Sequence, residues 1–84
     1  MGQGVKQEIV FKAFRAKGIS FAPSPNQKKY YFEVAIDGRM STEYIPPELG
    51  RKGPIRFHQL YGIPLEWFYM PLSIPGEEDK KAPN

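Results

Sequence analysis

The chain of 84 residues contains no cysteine. That excludes a disulfide scaffold and any cysteine-ligated zinc. Histidine occurs once, as His58, so there is no imidazole cluster to hold a transition metal. No apolar run approaches the roughly 20 residues of a membrane-crossing helix. The N-terminal run Met1-Gly2-Gln3-Gly4-Val5-Lys6-Gln7-Glu8 lacks the apolar stretch of a secretory signal. Lys6 stands where a myristoylation signal requires Ser or Thr. These absences predict a cytoplasmic protein with no membrane partner, no metal and no cofactor.

Aromatic residues are plentiful, with one Trp, five Tyr and six Phe, too many for a disordered chain. Nine Pro and eight Gly interrupt the sequence at close intervals, which predicts short strands and turns rather than long helices. The length suits one domain. Residues 1–4 read as a flexible N-terminus, 5–74 as a single compact domain, and 75–84 as a disordered charged tail containing Glu77-Glu78-Asp79-Lys80-Lys81. Residues 1–76 hold ten Lys and Arg against six Asp and Glu, so the ordered part carries +4 where the whole chain carries +3. A core of that size lies near the lower limit for a domain that folds alone, which makes a homodimer one expected form.

The clearest elements are two strands flanking Asp37-Gly38. Tyr30, Phe32, Val34 and Ile36 alternate with Tyr31, Glu33 and Ala35, and Arg39 to Ile45 returns. Asp-Gly favours a two-residue type I′ turn, because both central residues need positive φ. That register would pair Val34 with Ser41 and Phe32 with Glu43, leaving neither face clean. A one-residue slip pairs Ile36 with Met40, Val34 with Thr42 and Phe32 with Tyr44, and points Glu33 and Glu43 to solvent. Burial usually specifies register, so the slip is expected, with a three-residue loop or a bulge at Gly38–Arg39.

Val5 to Lys17 fits two patterns. Glu8 early, Arg15 and Lys17 late and Gly18 as a stop suit a helix. Its apolar arc is broad, however, and alternation of Ile9, Phe11 and Ala13 favours a strand, followed by a short strand at Ile19–Ala22. Pro46-Pro47-Glu48-Leu49 predicts one helical turn ending at Gly50. Ile55 to Tyr61 reads as a strand with Ile55, Phe57 and Tyr61 inward and Arg56 and His58 outward. Leu65 to Met70, between Pro64 and Pro71, reads as an edge strand that is apolar on both faces. The expected fold is therefore all-β, a small antiparallel barrel or strongly curved sheet of five to six short strands. The alternative is α+β, with a helix over 5–17 packed on a three- to four-stranded sheet.

Residues for catalysis are sparse. No Gly-x-Ser-x-Gly turn and no phosphate loop occur. His58 could meet only the turn residue Asp37 or the tail residue Asp79 in a triad. No enzyme is expected and no catalytic residue is named. Basic and aromatic residues recur together: Lys28 and Lys29 beside Tyr31, Arg39 at the hairpin end, Arg51 and Lys52 between glycines, and Arg56 beside Phe57. Cations that follow phosphates, with aromatic faces on which bases stack, are what single-stranded nucleic acid requires. Nucleic-acid binding through Lys28, Lys29, Tyr31, Arg39, Arg51, Lys52 and Arg56 is thus the first functional expectation. The alternative is a protein-interaction or inhibitor module, possibly a homodimer, using Leu65, Trp67, Phe68, Tyr69 and Met70 as its interface.

Overall fold

The computed structural model describes residues 4–25 and 29–75. Lys28, most of the N-terminal residues 1–4 and all but Pro75 of the 75–84 tail lie outside the described residues. The fold is α+β, not the expected all-β barrel. Among the described residues, three helices accompany two open antiparallel sheets, one of two strands and one of three.

After the two-residue strand β1 (Val5–Lys6), the ambiguous N-terminal segment forms helix α1 (Gln7–Lys17). Val10, Ala13 and Phe14 are buried on it. This spacing of three and four matches a helical face. The broad apolar arc that favoured a strand reflects contacts on two sides. Phe11 stacks on Phe21 of the sheet at 4.6 Å, while Phe14 meets Phe57 at 5.4 Å on a neighbouring helix. Gly18 stops α1 in the left-handed conformation, with φ of 83°. The Ile19 N–H donates to the Phe14 carbonyl at 2.8 Å and the Gly18 N–H to the Arg15 carbonyl at 3.1 Å, a Schellman closure.

Strands β2 (Ser20–Pro23), β3 (Tyr31–Ile36) and β4 (Arg39–Tyr44) form the three-stranded sheet in that order. The hairpin does not take the slipped register. Val34 pairs with Ser41 and Phe32 with Glu43, across a two-residue turn in which Asp37 has φ of 54° and Gly38 of 79°. Both residues tolerate this conformation, so the turn needs no bulge. The inner face of the sheet therefore contains Glu43 as well as Val34, which is a second correction: Glu43 is 4% exposed and does not point to solvent.

The prolines following β4 lead to a strand rather than a helical turn. β5 (Glu48–Leu49) pairs antiparallel with β1, setting Leu49 opposite Val5. The two supposed C-terminal strands are helices, α2 (Lys52–Tyr61) and α3 (Leu65–Tyr69). Pro54 sits in the first turn of α2, where its missing N–H costs nothing. Phe57 and Tyr61 are four residues apart, a spacing that fits one face of a helix as well as alternate positions of a strand. Pro64 immediately precedes α3, and Pro71 begins a 3₁₀ turn (Pro71–Ser73) after it. A single core collects Phe14, Val34, Ile45, Phe57, Ile63 and Phe68 from both helices and sheet, all of them buried.

Candidate functional site

β4 is an edge of its sheet, and the hydrogen-bonding phase shows which of its groups are spare. The Ile45 N–H donates to the Tyr30 carbonyl at 2.7 Å. Backbone groups alternate in an antiparallel pair. Arg39, Ser41 and Glu43 therefore direct theirs to β3, while Met40, Thr42 and Tyr44 direct theirs outward. Among the described residues, no strand pairs with that outer edge. Of the six residues of β4 only Glu43 is buried, and Met40 is 66% exposed. The opposite edge, β2, differs. Its Pro23 occupies an outward position and has no N–H to offer, a common way to blunt an edge.

Glu43 is held by α2. The Arg56 guanidinium grips it with two bonds, Nε to Oε1 at 3.1 Å and Nη2 to Oε2 at 3.3 Å. The Tyr61 hydroxyl donates to Oε2 at 2.5 Å. Since the phenol proton is used there, the 2.9 Å contact between Ser41 Oγ and Tyr61 Oη must have serine as donor. Burial, reinforced by the hydrogen bond to the Glu43 carboxylate, raises the Tyr61 hydroxyl above its ordinary value of 10.0. The cluster joins β4 to α2 through side chains and keeps the phenol neutral.

The space between β4 and α2 stays open on both sides of this cluster. One cavity of ≈ 320 Å³ is lined by Ile36, Met40, Leu60 and Tyr61, with Arg39 and Arg56 on it. A second, of ≈ 410 Å³, lies among Tyr31, Tyr44, Pro46, Leu49 and Gly53. Glu43 and Arg56 line both, so the ion pair borders each cavity.

The residues singled out from sequence fall into three groups. Arg39 and Arg56 come together on the first cavity. Tyr31 lines the second, with its ring 5.1 Å from that of Tyr44, and exposed Arg51 and Lys52 lie next to Gly50 and Gly53 there. Lys29 is apart from these, with Nζ 5.8 Å from the Tyr30 ring. Of the aromatic segment, Phe68 is 2% exposed and belongs to the core, with Leu65 and Trp67 packed against it. Tyr69 and Met70 remain exposed. His58 is not on a strand. Its Nδ1 lies 2.8 Å from the Ile63 carbonyl, which can only accept, so that nitrogen carries the proton. Among the described residues no three acidic or imidazole groups gather as a metal site, and no helix is long and apolar enough to cross a membrane.

Sequence reasoning missed Glu43, Tyr61, Ser41 and Leu60. A helical reading of 52–61 would have found part of the set, because Arg56 and Leu60 are then one turn apart on one face. No protein-family model, curated protein or solved structure matches the chain.

Proposed function

We propose that the chain is a non-enzymatic protein-interaction module of the cytoplasm that receives an extended segment of a partner along the outer edge of β4. The observation that carries this reading is an unpaired, unblunted strand edge running beside a groove. Strand addition uses such an edge for backbone hydrogen bonds and the adjoining pockets for alternate side chains. The groove takes the place of the aromatic segment as the interface, since Phe68 is committed to the core. Nucleic-acid binding draws less support. Tyr31 is half-buried against Tyr44 rather than presented as a free stacking face, and Lys29 lies apart from the arginines.

The test is selection of a random peptide display library on the full chain and on Thr42→Pro. Proline there removes an outward N–H and no bond to β3, so the sheet is retained. Peptides enriched on the unaltered protein should bind Thr42→Pro roughly tenfold or more weakly, about 1.4 kcal/mol. No enriched peptide, together with oligonucleotide binding that weakens steeply with salt, would replace this reading by the nucleic-acid one. A stable dimer dissociated by Thr42→Pro would assign the edge to a second copy instead.

A further inference from the structure

The groove beside β4 also has a chemical character, and this inference rests on the strand-addition reading. A strand added to β4 would place alternate side chains on the inner face, beside Arg39, Ser41 and Glu43 and toward α2. Two features await them there. The cavity of ≈ 320 Å³ offers Ile36 and Leu60, of which Leu60 is 52% exposed, while Met40 borders it from the other face of β4. Beside it are two guanidinium groups. Arg56 uses Nε and Nη2 on Glu43 and leaves Nη1 unused, with its side chain 57% exposed. Arg39 is exposed and has no ion pair among the described residues. The one carboxylate lining this space, Glu43, is buried and already paired. Asp37 and Glu33 lie outside the lining, in the turn and on the opposite face of the sheet. Groove charge is therefore positive next to an apolar hole.

We propose that β4 accepts a partner segment bearing a carboxylate side chain and, two residues away, a large aliphatic one. The aliphatic side chain enters the cavity beside Ile36 and Leu60. The carboxylate meets Arg39 and the unused Nη1 of Arg56, as guanidinium groups are suited to do. Residues at i and i+2 of an extended chain share a face, so both contacts can form at once. Two other occupants match the groove less well. A second copy paired through its own β4 about Thr42 would bring two Arg56 side chains toward each other, since each is anchored one residue from that axis. The chain's own Glu77-Glu78-Asp79 supplies carboxylates, but the positions two residues away are Pro75, Gly76, Lys80 and Lys81, together with one another, and none is aliphatic and large.

The experiment repeats the display selection on Arg39→Glu, in parallel with the unaltered full chain. Arg39 is exposed and outside the Glu43 cluster, so its reversal leaves the fold in place. Peptides from the unaltered protein should carry Asp or Glu two positions from Leu, Ile, Val or Met. Those from Arg39→Glu should exchange the acid for Lys or Arg. Synthetic copies should bind the wrong partner roughly tenfold more weakly. Amide resonances of Met40, Thr42 and Tyr44 should shift on binding. A consensus without the acid, or one indifferent to Arg39→Glu, overturns the acidic preference while loss of binding in Thr42→Pro still upholds strand addition. Enrichment that is equal on Thr42→Pro overturns both, as does no enrichment at all. A dimer that excludes peptides from the edge overturns the proposal in favour of the second copy.

Discussion

Glu43 shows how one residue's neighbours decide its role. A carboxylate buried without partners is expensive, and here two bonds from Arg56 and one from Tyr61 offset that cost. Removing one donor should leave the charge under-satisfied. Tyr61→Phe is expected to lower stability by about 1.5–3 kcal/mol at neutral pH, read as a shift of the urea midpoint, because the lost bond is to a charged group. The same variant has a pH signature. The folded phenol holds its proton above the ordinary value of 10.0, so beyond that pH the unfolded chain ionises first and folding stability falls. Phenylalanine cannot contribute this fall. The stability gap between the two proteins should be full below pH 10.0 and should narrow as pH rises through the elevated folded value.

At the scale of elements, turn and cap residues hold the parts that flank the site. Gly18 ends α1 and starts the path into β2, and its φ of 83° is strained for any residue with a Cβ. Space is not the obstacle, since a Cβ there would meet nothing within 4 Å. Gly18→Ala should therefore cost about 1 kcal/mol, the conformational term alone, measured by denaturant unfolding with an unchanged slope. Asp37-Gly38 sets the hairpin register, which in turn decides that Ser41 and Glu43 face α2. Turn geometry prevailed over the pattern of apolar residues because Glu43 found its partners on another element. The slipped register is cleaner only if 55–61 is a strand that offers no guanidinium or phenol to that face.

For the molecule as a whole, one small core connects everything that positions the groove. The Phe14 ring meets those of Phe21, Phe57 and Tyr61, linking α1, the sheet and α2. Phe14→Ala should remove about 3–5 kcal/mol, a large part of the roughly 5–15 kcal/mol that stabilises a domain of ordinary size. The expected outcome is a largely unfolded population at 37 °C, seen as collapsed amide dispersion in NMR spectra and lost near-ultraviolet circular dichroism. Surface changes such as Arg39→Glu should leave both spectra native-like, so loss of binding there is separable from loss of fold.

Local chemistry made several features legible from the residues alone. Asp37-Gly38 announced a hairpin and the zero cysteine count excluded a disulfide scaffold, because each depends only on backbone preference or composition, while Gly18 marked a stop for the helical alternative alone. Arg39 and Arg56 are visible in the sequence as cations near aromatic residues. What they line is not. Phe57 and Tyr61 satisfy strand and helix periods alike, and the prolines around Leu65–Tyr69 bound either element, so only packing against α1 and the sheet selects helices there. Burial of Glu43, the spare edge of β4 and the groove beside it arise between segments far apart in the chain. They were decided by tertiary structure, since a side chain's partners and a strand's unpaired edge exist only once the other elements are in place.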